Sequence, residues 1–179
     1  MTFKLVRRWS LALVAMVLAT SCSIQQVHES ASLDSNVRWA LLPIVNLAQA
    51  PLAGERTETV LATRLRSLGL SQLTEYPASD SKAMMGMNSD QKRFQEAKKW
   101  AIKQNFQYWI TGSVEEWRYK AGLDGEPAVA ISLRVIEAQS GKVVWSGSGA
   151  RTGWGREGVL VTAHEVLDEL LDSLPLTED

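Results

Sequence analysis

Residues 128–138 read AVAISLRVIEA, and this stretch decides the fold of the chain. Large apolar side chains alternate in it with small or polar ones, which is the pattern of a β-strand with one face toward a hydrophobic core. The residues on the apolar face are Val129, Ile131, Leu133 and Val135. The sequence therefore predicts a strand that is buried on one side.

Two further strands are predicted next to it, over residues 108–120 and 142–151. The segments GLDG at 122–125 and QSGK at 139–142 separate the three strands. Gly and Asp adopt the backbone conformations of tight turns easily, so both segments are typical of hairpin turns. The C-terminal half of the chain is thus expected to form three consecutive strands of one sheet.

The remaining segments add two strands and three helices. The apolar run at 38–47 predicts a buried strand, and Pro43 inside it indicates a bulge or an edge position. A short strand is predicted at 70–76. Apolar residues at helical spacing predict the helices, at 54–68, 90–104 and 157–174. The order β-α-β-α-β-β-β-α indicates an α/β (α+β) fold, a mixed β-sheet with packed helices.

Two details of the helices are specific enough to test. Ser89 is predicted to cap the second helix, because serine side chains accept hydrogen bonds from the first helical N–H groups. The third helix is predicted to bury one apolar stripe. The members of this stripe are Leu160, Ala163, Leu167, Leu170, Leu171 and Leu174.

The N-terminal segment has the pattern of a secretory leader. Basic residues precede an uncharged apolar run at 11–19, which is too short to span a bilayer, and small polar residues lead to Cys22. The sequence LATSC at 18–22 resembles the cleavage box of bacterial lipoproteins, in which the cysteine is acylated and becomes the new N-terminus. An ordinary signal peptide with an incidental cysteine is the alternative. Ser23 after the cysteine points to the outer membrane under enterobacterial-type sorting.

This pattern divides the chain into three parts. Residues 1–21 are predicted to be a lipoprotein signal peptide, residues 22–36 a lipidated Cys22 with a flexible tether, and residues 37–179 a single α/β domain. Loss of the three basic residues in the leader changes the formal net charge from −1 to −4. Such a chain is unsuited to bind nucleic acid through a basic surface.

No segment has the pattern of a catalytic or metal site. His164 begins a segment similar to a zinc-protease helix, but Asp168 stands where the second histidine is needed. Residues 147–149 read GSG, yet the third glycine of a dinucleotide-binding loop is misplaced and no helix follows. Glu115 and Glu116 point to opposite faces of a strand, so they cannot act on one bond. We expect no enzyme activity, no cofactor and no metal.

Trp154 is a candidate membrane contact. It lies between Gly153 and Gly155, outside the predicted strands and helices. Glycine on both sides favours a loop that projects the ring, although the indole could also fold back over the end of the sheet. An indole combines an apolar body with a hydrogen-bonding edge, which suits the membrane interface.

Asp124 and Glu126 are candidate members of an acidic surface at the tip of the first hairpin. Asp-Gly is a favoured turn pair, so turn chemistry alone is one explanation of Asp124. The functional interpretation is an acidic patch that a symmetric ring would repeat, producing a negative field that attracts cations.

The centre of the domain resembles the PelC family of outer-membrane lipoproteins, which belong to the Pel exopolysaccharide secretion system. The resemblance is carried by strand, hairpin and loop segments. They are GSVEEWRYK at 112–120, GLDGEPAV at 122–129, VWSGSG at 144–149, GWG at 153–155, WALLPI at 39–44 and PLAGER at 51–56. It implies a fold related to the N-terminal domain of TolB. It also implies that Asp124 contributes to a negative ring surface and that Trp154 enters the membrane.

The resemblance further implies a homo-oligomeric ring, lipid-anchored in the inner leaflet of the outer membrane and facing the periplasm. Its partners would be a PelB-type porin and the cationic Pel exopolysaccharide, which is exported in biofilm formation. The competing function is a periplasmic protein-interaction lipoprotein of the TolB or peptidoglycan-synthase-activator type, built on the same fold without a ring.

Overall fold

The computed structural model of the protein describes residues 23–29, 32–77, 87–122 and 125–177. Over these ranges the chain forms a six-stranded sheet, a two-stranded sheet and three helices. The predicted order β-α-β-α-β-β-β-α is confirmed, and further strands are present at both ends of it. No helix in the described ranges has both the length and the apolarity needed to span a membrane.

The strands of the structure are β1 (Ser23–Glu29), β2 (Leu33–Asp34), β3 (Trp39–Asn46), β4 (Leu73–Glu75), β5 (Tyr108–Tyr119), β6 (Pro127–Glu137), β7 (Val143–Thr152) and β8 (Leu176–Thr177). The helices are α1 (Ala53–Ser67), α2 (Met87–Lys103) and α3 (Val159–Leu171). The large sheet has the order β1-β7-β6-β5-β3-β4. Pairing is antiparallel from β1 to β5 and parallel from β5 through β3 to β4, so the sheet is mixed as predicted.

The two faces of the large sheet bury different helices. The face with the alternating apolar residues of β6 packs against α1 and α3 and forms the main core. On the other face, Ala97 and Ala101 of α2 pack against Ala40 and Leu42 of β3. Ala97 and Ala101 are four residues apart, so they share one side of the helix.

Pro43 lies at a bulge in β3, as predicted. The register between β3 and β5 shifts between Leu41 and Ile44, and pairing with β4 also ends at Leu41. Proline has no N–H to donate to a ladder, which explains why the irregularity is located here. The Ile44 N–H donates instead to Glu58 Oε1 at 2.9 Å, and Thr111 Oγ1 donates to the Pro43 carbonyl at 2.8 Å. Side chains from α1 and β5 therefore satisfy the Ile44 N–H and the Pro43 carbonyl at the bulge.

The predicted flexible tether is wrong in part, because residues 23–29 form strand β1, which pairs with β7 along its length. Residues 33–34 form β2, which pairs with β8. Without β1, β7 would be an edge strand with unpaired backbone groups. A strand can pair through its backbone without an alternating apolar pattern. Because this segment is polar, its side chains did not indicate a strand.

Two helix details also differ from the prediction. Helix α2 begins at Met87, so Ser89 lies inside the helix and not at its N-cap position. Methionine is a good helix former, which favours the earlier start. Leu160 shares the helical spacing of Ala163 and Leu167 but is exposed. Periodicity predicts which side of a helix is apolar. It does not predict how far along the helix that side is covered by the rest of the protein.

Candidate functional site

The segments that carry the predicted site residues meet at one end of the large sheet. Tyr119, the last residue of β5, pairs with Pro127 at the start of β6, and the neighbouring Ala128 pairs with Thr152 at the end of β7. We call this the loop end of the sheet. The β5–β6 hairpin and the loop that follows β7 lie side by side there, joined by a hydrogen bond from Lys120 Nζ to Thr152 Oγ1 at 2.8 Å.

The chain also enters the sheet at the loop end. Strand β1 runs antiparallel to β7 and begins with Ser23 opposite Arg151. Cys22 and the predicted leader lie outside the described residues. In the sequence, Cys22 directly precedes Ser23. A lipid on Cys22 would therefore be attached at the same end as the loop after β7.

Trp154 projects from the loop that joins β7 to α3. Its side chain is 64% exposed, so the structure shows the projecting conformation and not the one folded over the sheet. The backbone beneath the ring is held in place. The Trp154 N–H donates to Glu157 Oε2 at 2.9 Å, and the Glu157 N–H donates to the Trp154 carbonyl at 3.0 Å. Thr162 Oγ1 donates to the other oxygen of Glu157 at 3.0 Å, which ties the loop to α3.

Sequence reasoning missed Glu157. The available signal was an acidic residue three positions after Trp154 and just before a helix, the kind of spacing at which carboxylates accept hydrogen bonds from backbone N–H groups. It also missed Tyr119, whose hydroxyl accepts a hydrogen bond from the Val159 N–H at 3.1 Å. No short-range signal pointed to that contact, because the two residues are 40 positions apart.

Gly153 is required by the space around it. A Cβ atom here would lie 2.7 Å from both Glu157 Oε2 and Thr162 Oγ1, and 2.8 Å from the Pro127 ring. Its N–H donates to the Pro127 carbonyl at 2.9 Å, so the backbone cannot simply move outward. Gly153 thus has a packing role in addition to the flexibility assumed from the sequence.

We predict that Gly153→Ala destabilises the protein by about 1–3 kcal/mol, the usual cost of inserting a methyl group into a packed site. The free energy of unfolding should be measured in denaturant at one fixed protein concentration, since assembly shifts apparent stability. Gly158→Ala is the matched control, because its nearest contact would be an ordinary 3.8 Å from Val161. Equal effects of the two variants would contradict the packing role of Gly153.

The acidic candidates are only partly described. Asp124 lies outside the described residues. Glu126 is exposed on the hairpin, where its carbonyl accepts the Lys120 N–H at 2.7 Å. Arg118, on the same hairpin, pairs with Glu116 at 2.6 Å. The hairpin therefore presents Glu126 at the loop end, beside the Trp154 loop.

The structure gives His164 and Asp168 no shared role. Asp168 Oδ2 accepts a hydrogen bond from Arg64 at 2.7 Å, which joins α3 to α1. Among the described residues there is no group of three His, Cys, Asp or Glu side chains that could hold a metal ion. Gly147 and Gly149 lie inside β7 and not at its end, and a Cβ atom at either would come within 3.1–3.3 Å of Leu170. Their function is close packing of α3 on the sheet.

A separate groove of about 610 Å³ lies on the α2 side of the sheet, away from the loop end. Small polar side chains of three adjacent strands line it, including Ser113, Ser132 and Ser148, with Arg134 at one side. The hydroxyls of Ser132 and Ser148 are 3.0 Å apart and hydrogen-bonded. None of the residues predicted as functional lines this groove.

Comparison with known proteins identifies relatives among solved structures. No family model matches the chain, and no curated protein matches it. The PelC dodecamer from Paraburkholderia phytofirmans is 32% identical with a TM-score of 0.73, and the match covers 88% of this chain and all of that one. A single-substitution variant of the same dodecamer is 33% identical over 87% of this chain and all of that one, also with a TM-score of 0.73.

A more distant match shows the fold alone. Lipoprotein GNA1162 from Neisseria meningitidis is 14% identical with a TM-score of 0.53, and the match covers 76% of this chain and 96% of that one. The resemblance predicted from the strand, hairpin and loop segments is confirmed by the closer matches, which extend over nearly the whole described domain. This chain therefore belongs to the PelC family.

Proposed function

We propose that this protein is an outer-membrane lipoprotein whose copies form a ring facing the periplasm, and that the ring guides cationic Pel exopolysaccharide to its porin for export. The similarity to the PelC dodecamer over 88% of the chain carries this proposal. The acylated Cys22 would anchor each copy in the inner leaflet. The proposed role requires binding and positioning and no chemical conversion of the polymer.

The arrangement of the loop end supports one orientation at the membrane. Strand β1 begins there, and the exposed Trp154 is located there as well. An anchored lipid and an exposed indole at the same end can both meet one bilayer without bending the domain. Copies related by ring symmetry would then all present this end to the membrane.

The acidic hairpin lies at the same end, since Glu126 and Asp124 belong to the β5–β6 turn. In a ring, this hairpin would be repeated around the opening on the membrane side, where a polymer has to meet its porin. Repeated carboxylates around an opening focus the electrostatic potential and raise the local concentration of a cation. This mechanism attracts the polymer without a deep binding pocket.

The mass of the purified protein in solution tests the ring. A periplasmic protein-interaction lipoprotein would use the same fold without closing a ring. Light scattering should give a mass many times that of one 19.8 kDa chain, as expected from the dodecameric relative. A monomer at micromolar concentration would contradict the ring and favour the protein-interaction function.

We predict that Trp154→Ala weakens binding of the unlipidated ring to phospholipid vesicles, because each exposed indole contributes a small interfacial energy that the ring multiplies. The free energy of unfolding should change by no more than about 0.5 kcal/mol, since the side chain is exposed. Vesicle co-sedimentation and denaturant unfolding measure the two effects.

Ile102→Ala is the matched control for Trp154→Ala. Ile102 is as exposed as Trp154 but lies near the end of α2, next to the start of β5 and therefore at the opposite end of the sheet. It should leave vesicle binding unchanged. A large loss of stability in Trp154→Ala, or equal loss of binding in both variants, would contradict the membrane role of Trp154.

A further inference from the structure

Trp154 is not the only large apolar side chain exposed at the loop end. Tyr119 is 52% exposed, Leu160 47% and Val161 53%, and all three lie on segments that border the Trp154 loop. Single exposed apolar residues are common on soluble proteins, whereas several on adjoining segments mark a surface that meets a partner or a membrane. We call these four residues the loop-end patch.

Hydrogen bonds connect the segments that carry the patch. The Tyr119 hydroxyl accepts the N–H of Val159, the first residue of α3. The first N–H groups of a helix have no partner inside the helix. Tyr119 supplies a hydrogen-bond acceptor for one of them, which the N-cap residue Gly158 cannot do because it has no side chain. Glu157 links Trp154 to Thr162 on the same helix. The loop and the first turn of α3 are therefore positioned together.

The sequence of the first turn of α3 is unusual for a helix in water. Acidic residues are favoured there because the helix dipole places positive partial charge at the N-terminus, yet this turn has none. It presents Leu160 and Val161 instead. Apolar side chains in a first turn are favourable where that turn contacts an apolar surface and not water.

The start of β1 indicates what that surface is. Strand β1 begins at Ser23, which pairs with Arg151 on β7. Arg151 is only three positions before Trp154 in the sequence. A lipid carried by the adjacent Cys22 would enter the bilayer beside the patch. Arg156, exposed in the same loop, adds a cation that can approach lipid phosphates. The combination of aromatic, aliphatic and basic residues fits a phospholipid surface.

We propose that the first turn of α3, through Leu160 and Val161, docks into the phospholipid surface together with Trp154 and Tyr119. The proposal rests on the membrane anchor of the proposed function. It assigns the contact to a continuous patch and not to one tryptophan. The patch sets the orientation of the domain, while the lipid only tethers it.

Site-specific labelling of the full-length, processed protein in bilayers of phosphatidylethanolamine and phosphatidylglycerol tests the patch. An acylated Cys22 has no free thiol, so a thiol-reactive fluorophore would label only a newly introduced cysteine. Val161→Cys and Leu160→Cys probe the patch. Val143→Cys is the matched control, because Val143 is 47% exposed and lies at the other end of β7, about 30 Å from Thr152.

We expect a nitroxide quencher carried on the lipid chains to quench the labels at 160 and 161 several-fold more strongly than the label at 143. Aqueous iodide should show the reverse order. Equal quenching at the two ends of β7 would overturn the proposal. Protection of 160 and 161 from both quenchers would overturn it as well, since it would show that a second copy of the chain covers the patch.

The unsubstituted chain separates this proposal from the anchor itself. Labelling of that chain would reveal a free Cys22 thiol and would overturn the lipid anchor. In that case the same labels are placed in a chain that also carries Cys22→Ser, and the ratio of quenching between positions 161 and 143 on added vesicles decides whether the patch docks. The two proposals therefore fail in different measurements.

Discussion

Cys22→Ser should release the protein from the membrane fraction or leave it as an uncleaved precursor. The thiol is the proposed attachment point for the lipid, and serine cannot take its place in lipoprotein processing. Acyl chains contribute about 0.8 kcal/mol per buried CH₂ group, and stable anchoring requires two signals. Fractionation of cells, with the mass of the chain measured in each fraction, detects both expected outcomes.

Thr20→Ser is the control for this experiment, because it keeps a small hydroxyl residue in the same predicted cleavage box. It should leave processing and anchoring unchanged. A Cys22→Ser protein that is both processed and firmly membrane-bound would contradict the lipid anchor and would support the alternative of an ordinary signal peptide.

Removing the charge of Asp124 should reduce polymer secretion while the ring stays assembled. The proposed attraction between repeated carboxylates and a cationic polymer acts at long range, so Asp124→Ala should lower secretion and Asp124→Lys should lower it further. Salt should weaken the attraction, because the Debye length falls from about 10 Å at 0.1 M to about 3 Å at 1 M. Secreted polymer is measured alongside ring mass for each variant.

Asp124→Asn separates charge from turn chemistry. Gly125 has a φ of 53°, in the left-handed region that tight hairpin turns use, and asparagine before glycine suits such a turn. The Asn variant should therefore keep the hairpin and still secrete less polymer. Normal secretion by Asn together with failure of Ala would show that the residue matters for the turn, and the electrostatic role would be wrong.

Local patterns predicted most of the fold. The alternation of Val129, Ile131 and Val135 and the glycine-containing turns established β5 to β7, because side-chain direction and turn conformation depend on neighbouring residues. Pro43 indicated a bulge for an equally local reason, its missing N–H. Such features are readable without knowledge of which strands meet.

Long-range pairing explains what the sequence could not predict. Strand β1 is held by backbone hydrogen bonds to β7, more than a hundred residues later in the chain, and its side-chain pattern carries little signal. Leu160 follows the apolar spacing of α3 but is exposed, because the buried part of the helix surface does not extend to it. Both errors concern which surfaces of distant segments meet, and local propensity does not encode this.

The candidate site was predicted as separate residues and not as one surface. Trp154 was identified because glycines flank it, and the acidic hairpin because of its turn sequence. Their proximity follows from the pairing of Ala128 with Thr152, and the contact of Tyr119 with Val159 follows from the path of α3. Only the topology of the sheet brings these residues to the same end as Ser23.

The most direct test of the export function is the amount of cationic polymer that reaches the surface of cells lacking this protein. Binding of a labelled lectin or antibody to the polymer, with the intracellular and periplasmic polymer measured in parallel, reports export apart from synthesis. We predict that surface polymer is lost and is restored by the wild-type chain. Undiminished surface polymer in cells without the protein would contradict its role in guiding export.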